Sequence, residues 1–132
     1  MERRKKRVAD ARKEAMKNTF IARMRNVPTS PRKMRLCADL IRGQEVYKAL
    51  NILRFTNKEA AGRLEKLLLS AIANYEKKSG NRPDENALFV KAIMVDEATG
   101  LKRILPAPQG RAYRMKKRSN HVTIFLGEKI AE

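Results

Sequence analysis

Side chains able to do acid–base, nucleophilic or metal chemistry are few in this chain and do not assemble into a constellation. His121 is the only histidine and Cys37 the only cysteine, so no metal-spaced set and no intrachain disulfide can be built. Asp96 and Glu97 are neighbouring carboxylates, but adjacent residues on a strand face opposite ways, which suits a strand end better than an acid–base pair. No glycine-rich loop of the phosphate-cradling type occurs. No catalytic residue, cofactor or metal is therefore expected. His121, entering a strand shortly after Arg118, could meet a phosphate or a base; a plain exposed strand position accounts for it equally well.

Cationic chemistry is concentrated instead. Lys102, Arg103, Arg111, Arg114, Lys116, Lys117 and Arg118 stand close together, and no acid occurs between Glu97 and Glu128. Two strand-forming arms, one to Leu105 and one from Arg111, flank the run Pro106-Ala107-Pro108-Gln109-Gly110. That pattern predicts a hairpin arm over about 97–120. Pro106 and Pro108 fix φ and should stiffen its tip. A two-stranded ribbon is marginal in water, and repelling charges make it worse. The arm therefore calls for a polyanion, against the competing reading of a solvated charged loop. About ten residues a side at ~3.3 Å each would carry it roughly 30 Å beyond the sheet.

The elements that must position this arm follow from composition and periodicity. The 132 residues carry 31 Lys+Arg against 14 Asp+Glu, a formal net charge of +17, well beyond what solubility needs. Nucleic acid is the first partner such a charge suggests and an anionic membrane the second. Trp is absent and aromatics make up 5%, which argues against a face built to stack single strands. No apolar run reaches bilayer length and no signal peptide is expected, so a cytoplasmic location and no membrane partner are expected. One domain of modest core fits the length.

Residues 1–21 form a basic N-terminal extension in which Val8 to Lys17 favours a short helix. A solvated tail, a localisation-type basic run and a segment that orders on RNA all remain open for it. Ala22 to Pro28 alternates as an edge strand. Ser30 as cap, Pro31 at the first turn and Gly43 at the end frame a helix whose apolar face is Met34, Cys37, Ala38 and Ile41. Cys37 on that face reads as a small buried hydrophobe. Arg32, Lys33 and Arg35 crowd the helix start, where the macrodipole disfavours cations, and so hint at an external anion; a solvated face competes. A second helix follows on Val46, Ala49, Leu50 and Leu53. A Thr56/Glu59 capping box opens a third on Ala60, Leu64, Leu67, Leu68, Ala71, Ile72 and Tyr75. Ser79 to Pro83 breaks it. Leu88–Asp96 and Val122–Leu126 read as strands that pair at the base of the hairpin. The layout predicts an α+β fold: three helices packed on a small three-stranded antiparallel sheet, with a long protruding basic β-hairpin.

Several of these stretches resemble the ribosomal large-subunit protein twenty-two family. They are Thr29-Ser30-Pro31-Arg32-Lys33-Met34-Arg35, Ala38 to Gly43, Ser70 to Asn74 and Val95-Asp96-Glu97. The most specific are Gly110-Arg111-Ala112, Lys117-Arg118 and His121-Val122-Thr123, placed after the Lys102-Arg103 pair. The resemblance spans about Ala22 to Gly127, in order. It implies a structural protein that binds large-subunit rRNA, supports assembly and lines the nascent-peptide exit tunnel with its hairpin tip. Neighbouring ribosomal proteins and the nascent peptide would be further partners, with no homo-oligomer. Carried over by position, Lys102, Arg103, Arg111, Arg114, Lys117 and Arg118 would meet rRNA; Arg32, Lys33, Arg35, Lys116 and His121 join them as candidates. Pro106, Ala107, Pro108, Gln109, Gly110 and Arg111 would line the tunnel. Many members are basic where Ala107 or Gln109 stands here, Pro108 is extra, and the extension before Phe20 exceeds the common start. The alternative from residues alone is an architectural DNA-binding protein with a β-ribbon arm.

Overall fold

The computed structural model describes residues 4–17, 19–80, 82 and 88–128. In chain order the elements are α1 (Arg4–Lys17), β1 (Phe20–Val27), α2 (Pro31–Ile41), α3 (Val46–Phe55), α4 (Glu59–Ser79), β2 (Leu88–Pro106) and β3 (Ala112–Glu128). The three helices expected from apolar spacing are α2, α3 and α4, and α1 adds a fourth, starting earlier than Val8. Met34, Cys37, Ala38 and Ile41 are buried on α2, as are Leu64, Leu67, Leu68 and Ala71 on α4. Burial pushes the Cys37 thiol above its ordinary value, with the Lys58 charge pulling the other way. It packs as a small apolar group.

Two caps differ from expectation. Ser30 precedes α2 in extended conformation but its hydroxyl makes no capping bond. Lys58, not Thr56, is the N-cap of α4. Thr56 instead closes α3: its hydroxyl donates to the Ile52 carbonyl at 2.6 Å. Of the stretch read as the end of α4, Asn81 and Pro83 lie outside the described residues.

The sheet is antiparallel with order β1-β3-β2, so the last strand is the central one. β3 alternates without interruption. Asn120, Val122, Ile124 and Leu126 turn towards the helices, while His121, Thr123 and Phe125 are half-buried on the other face. β2 is longer by two residues because its register against β3 slips once between Val90 and Ala92 and again between Ala98 and Leu101. The first slip is a β-bulge that lets Val90 and Ile93, three apart, both face the core.

β2 lies at a sheet edge, and its open backbone groups are covered by α2 and the turn after it. Gly43 N–H donates to the Val90 carbonyl at 3.0 Å, and Val90 N–H donates to the Gln44 carbonyl at 2.9 Å. Arg42 and Arg35 donate to the carbonyls of Ile93 (3.2 Å) and Val95 (3.1 Å). From Val90 to Val95 the edge is thus blocked to another strand. On the opposite edge, β1 is held to α4: Asn74 donates to the Ile21 carbonyl at 3.1 Å, and the Phe20 and Tyr75 rings meet edge-on at 4.6 Å.

Asn120 is fully buried where the sheet meets the turn before α2. Its amide donates to both the carbonyl and the hydroxyl of Thr29, each at 2.7 Å. Asn120→Ala removes both bonds at a site with no access to water, and should cost about 1–3 kcal/mol in denaturant unfolding. A loss below about 0.5 kcal/mol would show that the bonds are replaceable by solvent.

Candidate nucleic-acid interface

Beyond Val27↔Asn120, where β1 leaves the sheet, only β2 and β3 continue. Ala98–Pro106 and Ala112–Ser119 form a free ribbon that extends about 30 Å at the usual strand rise. The pairing of Leu88–Asp96 with the strand around Val122–Leu126 at its base is observed, with Ile93 opposite Ile124 and Val95 opposite Val122. Gly100 marks the second bulge. A Cβ there would sit 2.9 Å from the Lys117 carbonyl oxygen, so the two strands approach too closely for any larger residue.

The register sorts the cations, since opposed residues of an antiparallel pair point to the same side. Lys102↔Lys116 and Ile104↔Arg114 lie on one face. Because β3 keeps strict alternation, that face is continuous with Arg118 and with the helix side of the sheet. Leu101↔Lys117, Arg103↔Met115 and Leu105↔Tyr113 occupy the other face. Glu97, at the arm's root, takes Arg118 at 3.0 Å and Lys116 at 3.5 Å. Both pairs are substantially exposed, so they orient the side chains more than they stabilise the fold.

Arg32, Arg35, Glu97 and Arg118 converge with Ser30 on one cleft between the start of α2 and the root of the arm. Three of the sequence candidates are thus brought together by the fold. Lys33 is exposed on α2 but does not line the cleft. Arg35 also has a structural task, its guanidinium capping the Val95 carbonyl. His121 stands apart from this cleft. Its Nδ1 accepts the backbone N–H of Asn26 at 3.0 Å, where β1 bulges and Asn26 adopts φ 53°. The same outer face carries Arg23 and Arg25, which line a second cleft with His121 and Asp96. Sequence reasoning passed over this pair. Its signal was the two-residue spacing, which puts both on one side of a strand.

At the tip, Ala107 N–H donates to the Arg111 carbonyl at 2.9 Å and Arg111 N–H returns to the Pro108 carbonyl at 3.4 Å. Gln109 and Gly110 between them both have positive φ, 61° and 69°. Gly110 adopts this freely, whereas Gln109 holds a conformation disfavoured for a residue with a side chain. Pro106 to Gly110 are exposed apart from the half-buried Ala107.

Among the described residues no three of His, Cys, Asp and Glu come near enough to hold a metal ion. No described helix is long and apolar enough to cross a membrane. What remains is a protruding ribbon whose charge is offset at its root by Glu97 and is otherwise left without an acidic partner among the described residues, flanked there by arginines from α2.

Comparison with known proteins agrees with the resemblance in the motifs. The sequence model of the family described as Ribosomal protein L22p/L17e matches residues 22–127. The chain is 61% identical to the Large ribosomal subunit protein uL22 of Porphyromonas gingivalis over 123 residues, 93% of this chain and 92% of that one. It is 64% identical to the protein of the same description from Flavobacterium johnsoniae, covering 94% and 91% of the two chains. The Bacteroides fragilis protein, likewise so described, is 60% identical over 96% and 93%. The matched region leaves α1 outside and includes the whole arm.

Proposed function

The chain belongs to the ribosomal protein L22p/L17e family, and from that premise we propose that it is a structural constituent of the large ribosomal subunit that binds large-subunit rRNA through its arm. The family is one of ribosomal proteins, not of enzymes. The observation that carries the reading is the free ribbon beyond Asn120. From Leu101 to Lys117 it buries no residue, and with Arg118 it holds Lys102, Arg103, Arg114, Lys116 and Lys117 in a two-stranded frame that water alone supports poorly. Duplex and folded RNA offer the counter-charge, and releasing their condensed ions drives the association. Arg32 and Arg118 at the cleft, with Lys33 beside it, would hold phosphate at the arm's root. Arg111 would hold it just behind the turn.

The tip is the part suited to a tunnel wall. Ala107, Pro108, Gln109 and Gly110 present small or polar surface on a turn stiffened by two prolines, so a passing nascent peptide meets little that is sticky. The protein would sit on ribosomes in the cytoplasm as a single copy among neighbouring ribosomal proteins, with no membrane partner.

The test is structural. Ribosomes whose copy of this protein lacks Leu105 to Pro108 should assemble, because most arm cations remain. Their exit tunnel should be shifted or widened at the site of Gln109. An unchanged tunnel there, or a tip lying away from the peptide path, removes the tunnel-lining role while leaving rRNA binding standing.

A further inference from the structure

The arm's second face is not an obvious phosphate surface. It holds Leu101, Leu105 and Tyr113, respectively 55%, 45% and 62% exposed, with Met115 half-buried among them. Arg103 and Lys117 are interleaved on the same face. Tyr113 lies opposite Leu105, and Arg103 is its diagonal neighbour, within reach of a long side chain. The Arg103 guanidinium is drawn back along its own strand by a 2.9 Å bond to the Lys102 carbonyl. Large apolar side chains left this open on a ribbon without a core need an occupant.

Resting on the rRNA-binding reading above, we propose that Tyr113, backed by Leu105 and Met115, is a stacking seat for one unpaired nucleobase, whose flanking phosphates face Arg103 and Lys117. The charge decides the occupant. An apolar protein groove over this face would have to bury or pair two cations, whereas an unstacked nucleotide brings a flat π-face and phosphates together. Stacking on aromatic side chains is the usual way protein takes up a splayed base. A single seat of this kind is compatible with the low aromatic content, which excludes only an extended stacking surface. The two faces then divide the work: Lys102, Arg114 and Lys116 hold backbone, while Tyr113 holds a base at a defined place.

The chain contains no tryptophan, so Tyr113→Trp introduces one unambiguous reporter. In purified large subunits carrying Y113W, the indole emission gained over subunits with the parent chain should be strongly quenched relative to that of the free variant, as stacking on a base requires. Emission shifted to the blue without quenching would indicate a protein neighbour and overturn the proposal; emission equal to that of the free protein would overturn it as well. Binding to transcribed large-subunit rRNA gives the second measurement. Y113A should bind about five- to a hundred-fold more weakly with an unchanged salt slope, whereas Y113F stays within about twofold of the parent. Y113A matching the parent, or Y113F failing as Y113A does, overturns the stacking seat alone. A parent chain without salt-dependent rRNA binding overturns the functional reading and this inference with it. Thermal unfolding of each variant, expected unchanged at this exposed site, excludes misfolding as the cause.

Discussion

Replacing Lys102, Arg103, Lys116, Lys117 and Arg118 together by Gln will flatten the salt dependence of rRNA binding by roughly four units of slope, at nearly one for each phosphate no longer neutralised. Over a fourfold rise in salt, the parent should therefore lose about two orders of magnitude more affinity than the variant. The register makes the expectation specific. Lys102 and Lys116 face each other across the ribbon, and Arg118 continues their side towards the cleft with Arg32. Two of the five also release Glu97, which the parent holds at 3.0 Å from Arg118 and 3.5 Å from Lys116. A carboxylate freed at the arm's root repels phosphate, so affinity at any one salt concentration should fall further than the missing cations alone require. A slope equal to the parent's would mean that these side chains do not meet phosphate, whatever the affinity.

The second large effect falls on the core and should leave binding geometry intact. Leu68 is fully buried on α4, and Leu68→Ala should cost about 2–5 kcal/mol of unfolding free energy, through lost burial and the cavity left behind. Removing Leu101 to Lys117 and joining the strands by a short turn should in contrast leave thermal unfolding almost unchanged. None of those residues is buried, and the β1-β3-β2 sheet is complete below Asn120. A fold that melts when the arm is shortened would show that the ribbon supports the sheet and is not merely carried by it.

The helices were legible because each buried face repeats at helical spacing, which needs no knowledge of distant residues. Met34, Cys37, Ala38 and Ile41 are the example. The hairpin was legible for a related reason: its turn chemistry and its cations are local. Pairings across the chain were less open to reading. That β1 docks on β3, with Ala22 opposite Ile124, depends on elements a hundred residues apart. Arg35 was read with Arg32 and Lys33 as a hint of an external anion, against a solvated face, and the structure adds a task absent from both readings: its guanidinium donates to the Val95 carbonyl. No local pattern announces an edge carbonyl sixty residues away. Thr56 fitted a capping box by spacing alone, and the geometry spent its hydroxyl on the preceding helix. The three-residue step from Val90 to Ile93 did contain the first bulge, since two inward residues of a regular strand cannot be three apart. The second bulge, at Gly100, decides which cations share a face, and it has no such apolar signature.

The position of β3 bears on how the chain is made. Synthesis runs from the amino end, so β1, the three packed helices and β2 all emerge before the strand that joins them. Until Ala112 to Glu128 follows, the two outer strands have no partner between them, and the growing polypeptide cannot close its sheet piecemeal. Completion is therefore late: β2 and β3 pair as a local hairpin, but β1 joins β3 only by a long-range closure, the kind of contact that forms slowly. The segment that ends the wait also carries half of the basic ribbon. Its ribbon half, Ala112 to Ser119, is made first and the part that pairs with β1 follows, so the polyanion-binding limb is complete just before the sheet that anchors it.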